Sequence, residues 1–140
     1  MTEAYIVSAA RTAGGRKGGR LAGVHPVDLA AISLDGVTER SGIDPAAVDD
    51  VIMGCVTQAG EQSLHVGRNA VLGSKLLPGS VPAVTIDRQC GSSQQSVHFA
   101  AQAVMSGTND IVIAGGIQNM TQYTILCAFA AGEHYGLGRT

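Results

Sequence analysis

The chain has 140 residues, of which 45% are hydrophobic and 14% charged, and its formal net charge is −2. This composition predicts a globular chain with a real hydrophobic core, either one domain or part of a larger one. The cationic residues cluster only between Arg11 and Arg20, so nucleic acid is not expected as a partner.

No apolar stretch is long enough to cross a bilayer, and the N-terminus lacks a signal-peptide pattern. We therefore expect a cytoplasmic protein with no membrane span. The three cysteines, Cys55, Cys90 and Cys127, are an odd number without the spacing of metal ligands. No metal is expected.

The predicted elements alternate between strand and helix. Residues 5–9 form a short apolar run that predicts a buried strand, and residues 14–20 form a glycine-rich loop. Pro26 opens a helix that Gly42 ends. A second strand is predicted at the end of residues 48–56, and a helix follows at about 66–76.

The third strand is predicted at residues 81–86, and the helix after Cys90 ends at Gly107. That helix has an apolar face at the spacing of an amphipathic helix, made by Val97, Ala100, Ala101 and Val104. Residues 110–116 predict a fourth strand. The β-α-β-α-β-α-β alternation predicts an α/β sheet with helices packed on it, and from Ile117 onward the pattern dissolves.

Cys90 stands where a polar turn leads from an apolar strand into a helix. The first-turn amides of a helix lack partners and favour an anion, so a thiol there is expected to lose its proton more readily. The thiolate is the reactive form of cysteine, and Gly91 allows close backbone approach. The sequence therefore predicts Cys90 as a nucleophile for covalent catalysis. Cys55, at the end of a strand, is interpreted as a core residue.

Other candidates have simpler interpretations. Ser92 and Ser93 are interpreted as helix caps. His98 lies eight residues along the helix from Cys90, about 12 Å of rise, which is too far for a hydrogen bond between the side chains. The glycine-rich loop has no P-loop ending and is interpreted as a basic turn. Cys127 is given no role. The remaining histidines stay open as possible bases: His25, His65 and His134.

The order of these motifs resembles the thiolases, the group of acetyl-CoA acetyltransferases and 3-ketoacyl-CoA thiolases. The resemblance covers residues 4 to about 120. It rests on five segments in the correct order and spacing: Ala10-Arg11-Thr12 with Lys17-Gly18-Gly19-Arg20-Leu21; Val48 to Gly54; Gln58 to Gln62 with Gly67 to Ala70; Cys90-Gly91-Ser92-Ser93-Gln94-Gln95-Ser96; and Gly107 to Asp110 with Ala114-Gly115-Gly116.

The resemblance implies a thiolase-like fold, in which this chain is the N-terminal β-α-β-α-β-α-β half, with a mixed, mainly parallel sheet and helices on both faces. Residues 1–118 would be the half-domain, and residues 119–140 the start of a loop domain or an irregular tail. It also implies that Cys90 forms an acyl-thioester during cleavage of 3-ketoacyl-CoA, or during the reverse condensation, in fatty acid and lipid metabolism. Coenzyme A and acetyl-CoA would be substrates, with no permanently bound cofactor. The full-length form would be a homodimer or homotetramer, with residues 81–86 at a dimer contact.

The sequence also departs from the family pattern. The family's activating histidine and second cysteine belong to a C-terminal half that we expect to lie outside this chain, so the fragment alone is expected to be nearly inactive. Asp87 replaces a usual asparagine, and Gln118 and Thr121 replace a usual glutamate and serine. The alternative hypothesis is a non-catalytic acyl-CoA-binding or lipid-binding protein, or one subunit of a split thiolase. A β-ketoacyl synthase relative matches less well around Cys90.

Overall fold

The structure, a computed structural model, describes residues 3–136 of the chain. Four helices and three strands are connected by loops and short 3₁₀ turns. In chain order they are α1 (Pro26–Ser41), β1 (Asp50–Gly54), α2 (Val66–Gly73), β2 (Ala83–Ile86), α3 (Ser92–Ser106), β3 (Val112–Gly116) and α4 (Cys127–Gly132).

The three strands form a parallel sheet in the order β2-β1-β3. The central strand, β1, is almost fully buried, because both of its faces and both of its edges are covered. Its last residue, Gly54, is in register with Ile86 of β2 and with Gly116 of β3. The carboxyl ends of all three strands therefore meet at one edge of the sheet.

Helices cover both faces of this sheet, as predicted. Successive residues of a strand point to opposite faces. Met53 Cβ faces Gly67 of α2, whereas a Cβ on Gly54 would meet the backbone of Ser92 in α3. Helix α1 packs on α2. The core fills the space between these layers with aliphatic side chains, among them Leu34, Val48, Val51, Met53, Ala70, Val71 and Val81.

The α/β class is confirmed, and so are three strands and the limits of two helices. Gly42 and Gly107 end α1 and α3 in the left-handed conformation, with φ values of 68° and 75°. Helix α2 ends at Gly73, three residues before its predicted end. Asp35 accepts hydrogen bonds from the backbone N–H groups of Lys75 and Leu76. These groups are therefore not available for the hydrogen bonds that would continue the helix.

The predicted first strand is wrong. Residues 5–9 are not in a strand, and Tyr5, Ile6 and Val7 are 74%, 83% and 77% exposed. A β-strand needs a neighbouring strand to pair with. Residues 5–9 instead line an apolar groove of about 580 Å³ together with α1, α3 and β3. Over the described residues the sheet is consequently parallel rather than mixed.

After β3 the chain forms one short helix, α4, which the sequence pattern did not predict. The side chains around it are largely exposed, with Leu126 at 63% and Phe129 at 53%. The domain boundary at residue 118 stays a prediction. Within residues 3–136, no helix is both long and apolar enough to cross a membrane.

Candidate active site

Cys90 lies in the tight turn between β2 and α3, and its side chain is exposed. The preceding residue, Gln89, has a φ of 47°, a left-handed conformation that is unusual outside glycine. Asp87 Oδ1 accepts a hydrogen bond from Gln89 N at 2.7 Å. Ser92 Oγ accepts one from Arg88 N at 2.8 Å and donates one to Gln89 O at 2.6 Å. These bonds fix the turn on both sides of Cys90.

The interpretation of Ser92 and Ser93 as helix caps is wrong, because both lie within α3. The N-cap of α3 is Gly91, which makes no side-chain capping bond, and Ser92 is the first helical residue. Its hydroxyl is used within the turn instead. Gly91 N and Ser92 N donate to Arg88 O at 3.1 Å and to Gln89 O at 3.0 Å. No side chain caps the next two amides of the first turn, those of Ser93 and Gln94, and this is the arrangement that favours an anion.

A cavity of about 280 Å³ opens beside Cys90 at the carboxyl edge of the sheet. Ligands of open α/β sheets typically bind at this edge, because the loops that leave the strands converge there. The lining residues come from the turn, from the ends of β1 and β3 and from the start of α3: Gly54, Cys55, Val56, Gln89, Cys90, Ser92, Ser93, Gly116, Ile117 and Gln118.

Cys55 is the second thiol of this cavity and has the opposite character. It is 1% exposed, which confirms it as a core residue. Burial raises the pKa of its thiol from the ordinary 9.0 to about 11, and the negative charge of Asp87 adds to this. Cys55 is therefore a neutral thiol near pH 7 and a poor nucleophile.

Gln118 is a cavity residue whose role the sequence did not indicate. Its Oε1 accepts a hydrogen bond from Thr57 N at 3.2 Å and lies 3.9 Å from Cys55 Sγ. These contacts orient the amide, and within the described chain its buried Nε2 has no hydrogen-bond partner. The predicted topology could have identified Gln118. The residues that follow parallel strands lie at one edge of the sheet, and Cys90 lies at the same edge.

Behind the cavity, buried amides join three loops that are distant in sequence. Gln62 is fully buried, and its Oε1 accepts from Asn119 N while its Nε2 donates to Thr57 O, both at 2.6 Å. Asn119 Nδ2 in turn donates to Ala22 O at 3.3 Å and to Val24 O at 3.2 Å. The loops before α1, after β1 and after β3 are thereby held against one another.

The described residues place no histidine in the cavity. His98 is exposed on α3, as predicted. His65 Nδ1 accepts from Arg68 N at 3.2 Å, and His25 Nε2 lies 3.8 Å from Glu61 Oε2. Between residues 3 and 136 there is also no group of three or more His, Cys, Asp or Glu that could hold a metal ion.

The sequence profile of the family described as "Thiolase, N-terminal domain" matches residues 4–139. This chain belongs to the thiolase family. It is 55% identical over 136 residues to the steroid 3-ketoacyl-CoA thiolase FadA6 of Mycobacterium tuberculosis, an alignment that covers 97% of this chain and 33% of that protein. A beta-ketoadipyl-CoA thiolase of Acinetobacter baylyi is 43% identical over 141 residues, which cover 100% of this chain and 34% of the relative.

The crystal structure of the Bacillus anthracis acetyl-CoA acetyltransferase superimposes with a TM-score of 0.80 at 36% sequence identity. The match covers 86% of this chain and 30% of that one. The thiolase-like fold is thereby confirmed. The chain spans about a third of the length of the curated relatives it matches.

The three residues that depart from the family pattern, Asp87, Gln118 and Thr121, each make contacts at or near the candidate site. Asp87 uses one oxygen to accept from Gln89 N, a bond that an asparagine oxygen would also make, while its charge contributes to the raised pKa of Cys55. Thr121 Oγ1 accepts from Gly18 N at 3.3 Å. Gln118 places a neutral amide in the cavity where a glutamate would bring a charge.

Proposed function

We propose that this chain is the nucleophile-bearing portion of an acyl-CoA:acetyl-CoA C-acyltransferase of the thiolase type, with Cys90 as the catalytic residue. One observation carries the proposal: the exposed Cys90 thiol lines a cavity at the carboxyl edge of the sheet, next to the uncapped first turn of α3. The names of the relatives, which are 3-ketoacyl-CoA and beta-ketoadipyl-CoA thiolases, support the class of substrate.

In the proposed reaction, the Cys90 thiolate attacks the 3-keto carbonyl carbon of a 3-ketoacyl-CoA. The bond between C2 and C3 breaks, its electron pair takes up a proton at C2, and acetyl-CoA leaves. The remaining acyl group is then a thioester on Cys90 Sγ. The thiolate of a second coenzyme A attacks this thioester, releases the shortened acyl-CoA and restores the Cys90 thiolate. Run in reverse, the same steps condense two acetyl-CoA molecules, as an acetyl-CoA C-acetyltransferase does.

The first acyl transfer needs hydrogen-bond donors for the oxyanion that forms on the carbonyl oxygen. The amides of Ser93 and Gln94 in the first turn of α3, which no side chain caps, are the donors we propose within this chain. The proton transfers, the homodimeric or homotetrameric assembly and the cytoplasmic location belong to the proposal for the whole protein, with coenzyme A and acetyl-CoA as substrates. The outer edge of β2, which has no strand beside it among the described residues, is the proposed dimer contact.

Because this chain carries the proposed nucleophile but is expected to be nearly inactive in turnover, the experiment is a single acyl transfer. The chain is incubated with acetyl-CoA, quenched in acid and mapped by mass spectrometry. We expect one acetyl group, on Cys90, that is lost in Cys90→Ser and kept in the control Cys127→Ser. Acetyl on Cys127 alone, or alkylation of Cys90 by iodoacetamide only above about pH 8.5 as for a free thiol, would contradict the proposal.

A second candidate function is a non-catalytic acyl-CoA-binding or lipid-binding protein, or one subunit of a split thiolase. The apolar groove of about 580 Å³ beside β3 favours it, because such a groove offers surface to an acyl chain or to another polypeptide. This function predicts retention of a fluorescent acyl-CoA with no covalent adduct on Cys90. A Cys90→Ala variant would then bind the acyl-CoA as well as the wild type.

A further inference from the structure

We propose that the hydroxyl of Ser93 is a further catalytic group, which donates a hydrogen bond to the carbonyl oxygen of the acyl group that Cys90 takes up. The inference rests on the proposed function in one respect, namely that Cys90 is acylated. It adds a side-chain donor to the backbone amides proposed above. From the sequence, Ser93 was interpreted only as a helix cap.

Three of the four serine hydroxyls of α3 are hydrogen-bonded within the protein. Ser92 Oγ is used in the turn before the helix. Ser96 Oγ donates to two backbone carbonyl oxygens at 2.6 and 2.9 Å, and Ser106 Oγ donates to one at 2.9 Å. Among residues 3–136, the Ser93 hydroxyl has no such partner. A helical serine often donates to the carbonyl oxygen four residues earlier, but here that atom, Gln89 O, already accepts from Ser92 N and Ser92 Oγ.

The Ser93 side chain points from α3 toward the end of β3. A Cβ added to Gly116, the last residue of β3, would overlap Ser93 Oγ and would lie 2.9 Å from Ser93 Cβ. The hydroxyl is therefore the part of the side chain that lies nearest to Gly116. The absence of a side chain at residue 116 provides the space that the hydroxyl occupies.

Ser93 and Gly116 line the same cavity as Cys90, and this cavity is small. Its volume of about 280 Å³ corresponds to roughly nine water molecules at about 30 Å³ each. An acyl group on Cys90 Sγ that enters so small a space has its carbonyl oxygen close to the free Ser93 hydroxyl. The geometry thus brings an uncommitted donor to the place where negative charge develops.

The hydroxyl also lies beside the backbone donors of the first turn. Within Ser93, Oγ is three bonds from N, so the two atoms are about 3–4 Å apart in every staggered rotamer. An oxyanion that accepts from Ser93 N is consequently within reach of Ser93 Oγ. Hydrogen bonds from a hydroxyl to an oxyanion are short and strong, and they stabilise the charge that forms during acyl transfer.

The rate of a single acetyl transfer tests the inference. Acetylation of Cys90 by acetyl-CoA is followed by acid quench and mass spectrometry in the wild type, in Ser93→Ala and in the control Ser106→Ala, the same substitution at an exposed position of the same helix. We expect Ser93→Ala to be acetylated at least roughly tenfold more slowly, because one oxyanion donor is lost, and Ser106→Ala to match the wild type. Equal rates in all three proteins would overturn the inference.

Alkylation of Cys90 by iodoacetamide separates an effect on the oxyanion from an effect on the sulfur. This displacement requires the thiolate but builds no charge on a carbonyl oxygen. We expect Ser93→Ala to be alkylated within about twofold of the wild-type rate between pH 6 and pH 9. If alkylation and acetylation slowed by the same factor, the hydroxyl would act on the sulfur of Cys90, and its assignment to the carbonyl oxygen would be wrong.

A double-mutant cycle tests the position of the hydroxyl. Gly116→Ala should slow acetylation in the wild type by displacing Ser93 Oγ, and should slow it less in Ser93→Gly, where no side chain is displaced. An equal effect in both backgrounds would mean that residue 116 does not act through Ser93, and the inference would fail. If Cys90 is acetylated in none of these proteins, the proposed function fails together with the inference. Acetylation at one rate in wild type and Ser93→Ala removes the inference alone.

Discussion

At the scale of single residues, Gln89 is the unusual feature of the candidate site. A left-handed backbone conformation costs a non-glycine residue roughly 1–2 kcal/mol, and here it stands directly before the proposed nucleophile. Hydrogen bonds from Gln89 N to Asp87 and from Ser92 Oγ to Gln89 O hold the residue in place. Backbone strain that the surroundings maintain is common next to reactive groups, because it fixes where the reactive atom lies.

Cys55 should make stability depend on alkaline pH. Its folded-state pKa of about 11 lies above the ordinary 9.0, so the unfolded chain releases this proton first as pH rises. The contribution of Cys55 is fully present below pH 9 and is lost toward pH 11, a decline of about 2 kcal/mol in the free energy of unfolding. Urea denaturation of reduced protein between pH 8 and pH 11 measures this decline.

The matched variant for this prediction is Cys55→Ala, which removes the titrating thiol. Its free energy of unfolding should fall less steeply over the same pH interval, whatever its absolute stability. The assignment of the decline to Cys55 would be wrong if wild type and variant lost stability in parallel.

At the scale of elements, the sequence pattern was sufficient to predict those helices whose limits depend on residues close in the sequence. The apolar face of α3 and the glycines at the ends of α1 and α3 were visible in the sequence, and both helices formed as predicted. Residues 5–9 have the composition of a strand, but no composition shows whether a neighbouring strand is present to pair with them. The cavity was only partly predictable. The residues next to Cys90 in the sequence were enough to predict its role, whereas the position of Gln118 beside it depends on the order of the strands in the sheet.

The contact between β1 and α3 should not tolerate a side chain at Gly54. An added Cβ would lie 2.5 Å from Ser92 C and from Ser93 N, backbone atoms that cannot rotate away. We expect Gly54→Ala to lower the free energy of unfolding by about 3 kcal/mol and to slow acetylation of Cys90, because α3 must shift. Chemical denaturation and the acetylation assay measure the two effects.

The control for this substitution is Gly23→Ala, where the added Cβ would have no atom within 4 Å. Its free energy of unfolding should stay within about 0.5 kcal/mol of the wild type, as is usual for surface changes. Similar losses in the two variants would show that the close approach of β1 and α3 does not limit stability.

At the scale of the whole molecule, the three loops behind the cavity depend on one buried side chain. Gln62→Leu would leave Asn119 N and Thr57 O without their present partner in a buried environment. Each unsatisfied buried group costs about 1–3 kcal/mol, so we expect a loss of about 3 kcal/mol in the free energy of unfolding. The control Gln102→Leu changes an exposed glutamine of α3 and should have little effect.

Proteolysis adds a second readout for the same pair of variants. If the buried amides hold the loops together, Gln62→Leu should be cleaved faster than Gln102→Leu within residues 14–25 and 117–126. Equal cleavage patterns and equal stabilities would mean that packing alone holds the three loops.

The bonds from Asn119 to Ala22 and Val24 also bear on the order of folding. They join residues 97 and 95 positions apart, so they close a loop that includes the whole sheet. Closing so long a loop is favourable only after nearer contacts have shortened the path between its ends. The wall of the Cys90 cavity is therefore expected to form late in refolding, after the helices and the sheet. The moment at which Cys90 first accepts an acetyl group would then report completion of the native state rather than collapse of the chain.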